Sequence, residues 1–202
     1  MGRLVRKTPG ERKKTAAAAR RPTREELQAA YGKRVRDVLG PDLKVLFVGI
    51  NPSLYTAAVG HHFGRPGNRF WPALHRAGIT ARRLQPGEQQ ALLDRGYGIT
   101  NLVARATARA DELSRRDLVA GGRRLVQKVR RYRPRVVAFL GITAYRGAFD
   151  RPRAKIGPAS EAIAGAEVWV LPNPSGLNAH YQLDDFAALF KKLDRAAEAR
   201  AG

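Results

Sequence analysis

A chain of 202 residues, 44% of them hydrophobic, is long enough to fold as one domain around a sizeable core. It contains no cysteine, which excludes a disulfide framework, a thiolate zinc site and an iron–sulfur cluster. Thirty-eight Lys and Arg stand against 17 Asp and Glu, a net charge of +21, and such an imbalance bears on polyanionic partners rather than on fold.

Residues 1–21 hold eight basic residues and one acid around the run Ala16 to Ala19. They read as a disordered basic arm ahead of a folded domain at 22–202. Thr23 is placed to cap a helix with Glu25 and Glu26 in its first turn, running to about Leu39 and stopped by Gly40-Pro41-Asp42. A first strand follows at 44–48, then a loop from Asn51 to Asn68. Phe70 to Ala77 has helical spacing and ends at Gly78. Pro86 to Asp94 reads as a second short helix, stopped by Arg95-Gly96, and a strand is expected from Tyr97 to Leu102.

After a polar stretch to Arg116, Leu118 to Tyr132 reads as a helix with a very basic exposed side. Residues 121–135 carry seven cations and no acid. Arg135 to Leu140 is a β-type run, and Gly141-Ile142-Thr143 opens a helix ending near Phe149. Arg151 to Ala166 reads as irregular, 167–171 as the last strand, and Leu183 to Ala199 as the terminal helix. Strands alternating with helices predict an α/β fold, a three-layer sandwich with helices on both faces of a short, mostly parallel sheet. The strands are almost wholly apolar, as a sheet covered on both faces requires.

No apolar run approaches the length of a membrane span, and the basic N-terminus lacks the apolar stretch of a signal peptide. A cytoplasmic, nucleoid-associated protein without membrane contact is therefore expected. Of the four His, His61 and His62 are adjacent while His75 and His180 lie far off, so no metal-ligand spacing exists. Neither a metal nor another cofactor is expected. The first strand is not followed by a Gly-rich phosphate loop, which argues against a nucleotide-binding enzyme.

Two related loops carry the chemistry: Gly49-Ile50-Asn51-Pro52-Ser53 and Asn173-Pro174-Ser175-Gly176-Leu177-Asn178. Each follows an apolar strand, and loops leaving strand C-termini line one crevice in an open parallel sheet. Asn51 cannot serve as a general base, because an amide does not titrate near neutrality, but its carbonyl oxygen can hold a water. Asn173 can both donate and accept, which suits a carbonyl–imide edge. For either Asn alone, an Asx-type turn is the competing reading. Phe63 could stack on a base or simply pack.

The run Gly49-Ile50-Asn51-Pro52-Ser53-Leu54 is followed by Gly67-Asn68-Arg69-Phe70-Trp71, Gly98-Ile99-Thr100-Asn101-Leu102-Val103 and Leu171-Pro172-Asn173-Pro174-Ser175-Gly176-Leu177. These four motifs, in order over roughly residues 43 to 195, resemble the mismatch-specific uracil-DNA glycosylases. The resemblance implies an α/β/α sandwich that flips uracil, chiefly from G:U mismatches in double-stranded DNA, and hydrolyses its N-glycosidic bond without a covalent intermediate. It puts Asn51 at the water-holding position, Ile50 and Phe63 against the base, and Asn101 on the pocket wall. Asn173 falls in the base-contacting second motif, and Gly176, Leu177 and Asn178 on the wedge that enters the duplex. Ser53 stands where the family usually has Gly, beside the base's 5-position, and leaves room for thymine or modified cytosines. Ala179 replaces an Arg often found on the wedge, with His180 or Tyr181 as substitutes.

Asp94, just ahead of the Gly98–Asn101 run, is the carboxylate considered for assisting Asn51, a surface helix position being the competing reading. A monomer is expected. The alternative to catalysis is a duplex-binding protein that senses mismatches without cleaving.

Overall fold

The computed structural model describes residues 20–200, so the expected basic arm, apart from Arg20 and Arg21, lies outside the described residues. Five strands form one sheet in the order β2-β1-β3-β5-β4: β1 (Val45–Gly49), β2 (Tyr97–Asn101), β3 (Val136–Leu140), β4 (Gly157–Ile163) and β5 (Ala166–Leu171). The first four in that order run parallel, and β4 closes the edge antiparallel to β5.

Alternate strand residues point to opposite faces, and here each face has its own core. Val45, Phe47, Ile99, Ala138 and Trp169 meet Phe70 and Leu74 of α3 (Phe70–Arg76) and Phe186 and Phe190 of α6 (Leu183–Ala199). Leu46, Val48, Val137, Phe139 and Val168 meet Leu125 and Val129 of α4 (Arg115–Tyr132) and Tyr145 of α5 (Ile142–Phe149). The three-layer sandwich follows from that split, and β1 and β3 are buried throughout because both faces are used.

Local chemistry moved several boundaries. The helix expected from Thr23 to Leu39 is only α1 (Arg24–Gln28), capped reciprocally by Thr23 and Glu26. Beyond it Gly32 takes a φ of 72° and donates its N–H to Ala106 O, at 2.9 Å. Val38 then exchanges two 2.8 Å backbone bonds with Ile99, which covers the outer edge of β2. The long loop after β1 contains α2 (Leu54–Val59), because Ser53 Oγ accepts from Thr56 N at 3.2 Å and caps it. Pro86–Arg95 is 3₁₀-helical. α4 starts at Arg115 rather than Leu118, since Ser114 and Asp117 cap each other. The segment 151–166 is not irregular: it supplies β4, with a register shift between Pro158 and Ala162.

Glycines let α4 approach. A Cβ on Gly121 would lie 2.4 Å from Leu102 O, and one on Gly122 3.1 Å from Ala148 O. The helix therefore rests directly on the chain leaving β2 and on α5.

Candidate active site

At the carboxyl ends of the parallel strands lies a cleft of about 730 Å³. The chain passes from β1 outward to β2 and returns past β1 to β3, so the winding reverses beside β1 and a crevice opens there. Its walls include Ile50, Asn51, Ser53, Phe63, Asn101, Leu140, Asn173, Leu177 and Asn178. A cleft of this size lies within the range of small-molecule sites. A second cleft of about 510 Å³, between Tyr145, residues 150–155 and β4, contains none of the expected site residues.

Asn51 is held from behind. Its Nδ2 donates to Thr107 Oγ1 at 2.7 Å and to Arg105 O at 3.1 Å, while Thr107 Oγ1 donates onward to Arg109 O at 2.7 Å. With both amide hydrogens committed, Oδ1 is the remaining pole of a half-buried side chain in the cleft wall. The supporting segment is anchored in turn by the Arg105–Asp117 ion pair at 3.0 Å and by the close seat of α4 on Leu102.

Asn173 has the reverse polarity. Its Oδ1 accepts from Ser175 N at 3.0 Å in an Asx-type turn, which directs one lone pair of that oxygen into its own loop. Its NH₂ group is the pole that the loop leaves without a partner among the described residues. Asn178 Nδ2 donates to Asn173 O at 3.0 Å, closing the loop on itself.

Asn101 ends β2 and is oriented by a histidine that sequence reasoning had passed over as a metal ligand only. His62 is 1% exposed, with Nε2 3.0 Å from Arg36 O. A carbonyl can only accept, so Nε2 carries the hydrogen. Burial holds the imidazole pKa below its ordinary value, outweighing the opposing pull of Arg36 O and Asp37. The neutral ring's bare Nδ1 then accepts from Asn101 Nδ2 at 3.4 Å, and Asn101 Oδ1 turns toward Gly49. A Cβ on Gly49 would lie 2.6 Å from that oxygen, so only glycine fits. Phe63, held at a φ of 52°, has its ring centroid 4.2 Å from that of Phe70 and also lines the cleft.

Beside the cleft, Leu177 is 79% exposed, one of two large apolar side chains so exposed among the described residues. Its loop is held by Arg69, which donates from Nη1 to Ser175 O at 3.1 Å and to Asn178 O at 3.0 Å. Arg69 N also donates to Pro174 O at 2.8 Å, and Gly176 lies against Gly67. Arg69 lies in the Gly67–Trp71 motif, but nothing in its spacing points to this clamp, and Thr107 carries no signal in the sequence. Of the suggested substitutes for Ala179, His180 is exposed, whereas Tyr181 packs on Phe186, with centroids 6.0 Å apart.

Asp94 is not part of the site. It is exposed, three residues ahead of β2, whereas the cleft opens after that strand. Five residues at about 3.3 Å each put roughly 16 Å between those ends. The carboxylate that does line the cleft is Asp111, which is ion-paired to Arg109 at 2.5 Å.

Fold and cleft define a three-layer α/β/α domain with a cleft at the carboxyl ends of its parallel strands. Residues 36–195 match the model of the uracil DNA glycosylase superfamily, and the chain belongs to that superfamily, whose members cleave N-glycosyl bonds in DNA. The fold is similar to the solution structure of a candidate uracil DNA glycosylase from Methanosarcina acetivorans. That similarity has a TM-score of 0.53 at 21% identity, over 81% of this chain and 98% of the other.

Proposed function

We propose that this protein is a monofunctional, mismatch-directed glycosylase that removes uracil from G:U pairs in double-stranded DNA. The observation that carries the reading is Asn51: an amide with both donors locked into Thr107 and Arg105 O and its acceptor left for the cleft. An oxygen held in that way accepts a hydrogen bond from a water and aims the water's lone pair at the sugar C1′. The C1′–N1 bond breaks, the uracil departs with the bonding pair as an anion, and the water oxygen bonds to C1′ as its proton passes to solvent, from which the uracil anion takes one up. The NH₂ of Asn173 is a fixed donor toward the negative charge that develops on the base.

A base within a duplex must leave the stack first, at a cost of about a few kcal/mol that is lowest for a mismatched pair. Leu177, apolar and exposed on a clamped loop, suits the gap left behind. Phe63 gives the flipped base an aromatic surface, Ile50 and Asn101 line its edge, and Ser53 with Thr56 leaves small groups for 5-substituted pyrimidines such as thymine.

The test is a single-turnover assay on a G:U duplex, scored as an alkali-labile abasic strand. Cleavage that Asn51→Ala largely abolishes is the expected result. Tight mismatch binding without cleavage would establish a non-catalytic sensor instead.

A further inference from the structure

The most basic segment of the sequence lies elsewhere. α4 buries Gly121, Gly122, Leu125 and Val129 against the sheet. On its other side Arg116, Arg123 and Arg130 recur at seven-residue intervals, with Arg124 and Arg131 beside them at the same interval. All five are exposed, and none is ion-paired to another described residue. Seven residues of α-helix rise about 10.5 Å, so Arg116 to Arg130 is a ridge of guanidinium groups about 21 Å long.

That ridge leads away from the cleft. β2 ends at the cleft and α4 begins just beyond, but Tyr132 ends the helix where β3 starts, beside Arg135 N donating to Leu43 O at 2.9 Å. Arg123, Arg124, Arg130 and Arg131 therefore flank the helical layer and the amino-terminal edge of the sheet. A straight duplex lying across the carboxyl edge, with a base in the cleft and Leu177 in its stack, would have to leave that edge to follow the ridge toward Arg130, about 21 Å along the helix axis from Arg116.

We propose that the outer face of α4 is a second, sequence-independent DNA site that grips the phosphate backbone of another duplex segment, so that one molecule bridges two DNA segments. A duplex carries one negative charge per about 1.7 Å of axis, and a ridge of arginines whose one neighbouring carboxylate on the helix, Asp117, is already taken up by Ser114 and Arg105 is complementary to such a strand. The proposal rests on the cleft edge being the first DNA site. Holding a second segment lets the protein pass between segments without a free diffusion step.

The experiment uses the full chain and two duplexes of about 16 base pairs, far below the length at which DNA folds back on itself. A labelled G:U duplex is bound in solution and offered to beads carrying a fully paired duplex. The wild type retains label on the beads. The variant Arg123→Glu, Arg124→Glu, Arg130→Glu and Arg131→Glu loses retention about tenfold or more, while its single-turnover excision on the same short duplex stays within about twofold. The salt dependence of retention flattens by about three to four in log–log slope, roughly 0.9 for each phosphate no longer neutralised. The corresponding four Lys variants keep retention.

Unchanged retention in the Glu variant overturns the proposal, as does absence of retention by the wild type. A fall in excision matching the fall in retention also overturns it, because α4 would then belong to the first footprint. Retention without any excision by the wild type would sink the catalytic reading and leave this one standing.

Discussion

Asn51 and Asn173 face one cleft with opposite poles of the same functional group. Thr107 and Arg105 O take both donors of the first, and Ser175 N turns the oxygen of the second into its own loop. In the proposed reaction one loop offers an oxygen to a water, and the other offers hydrogens to a base. Two loops that look alike as letters have become complementary through what stands behind them.

Thr107→Val removes one of the two anchors of Asn51 without emptying the space behind it. A neutral hydrogen bond is worth about 1 kcal/mol, so the single-turnover excision rate should fall about fivefold to tenfold. DNA affinity should stay near the wild-type value. Asn51→Ala should lose far more, and a double variant should add little to it. Rates and affinities measured on one G:U duplex decide this.

Leu177→Ala removes an exposed side chain, so the melting temperature should not move. Placing a Leu among stacked bases is worth about 1.5–3 kcal/mol, which predicts a loss of roughly tenfold to a hundredfold in excision from paired duplex. Uracil in a single strand needs no gap filled, and there the loss should be much smaller. Equal losses on both substrates would contradict a wedge.

Arg69→Ala frees the carbonyls of Ser175 and Asn178 from their shared partner. Amide hydrogen exchange over residues 175–178 should rise, and excision should fall by about tenfold or more. Arg69→Lys should recover part of the rate, because both bonds come from the single nitrogen Nη1 and an ammonium also has hydrogens for two carbonyls, on a shorter and more flexible stem.

His62 gives a pH dependence with a defined sign. Its folded pKa is depressed below the ordinary 6.5, chiefly by burial. The unfolded chain thus binds a proton that the folded chain resists, and the stability contributed is complete above about pH 6.5 and lost as pH falls below it. Excision should decline over the same interval, because a protonated Nδ1 must donate and so requires Asn101 to present its oxygen instead. Asp37, Lys128 and His61 are the charged or titratable neighbours that act on this ring. Thermal melts and single-turnover rates between pH 5 and 8 test both parts.

Asp94→Asn should leave the excision rate within about twofold, given its place at the far end of β2. A large loss would return a carboxylate to the mechanism.

The strands and the last helix were legible because period-2 and period-3.6 patterns are local: β1, β3, β5 and α6 fall within a residue or so of expectation. The errors lie where a distant partner decides. α1 stops early because Val38 is needed beside Ile99, and β4 forms from an unpromising Gly- and Pro-rich stretch because β5 supplies its ladder. At the site, Asn51, Phe63, Asn101, Asn173 and Leu177 were readable as a motif set, and all line the cleft. Thr107 and His62 were not, because they act through other side chains, and hydrogen bonds spanning 56 and 39 residues leave no periodic trace.

The rim of the sheet has a consequence for the protein in concentrated solution. One rim is capped, with Val38 occupying the backbone groups of Ile99 on the outer side of β2. The other, β4, is interrupted by its register shift and carries Pro158, which has no N–H to offer a newcomer. Neither rim offers a long regular template for adding strands from another molecule. The chain should therefore resist edge-to-edge aggregation, and that resistance comes from the same pairing of Val38 with Ile99 that cut its first helix short.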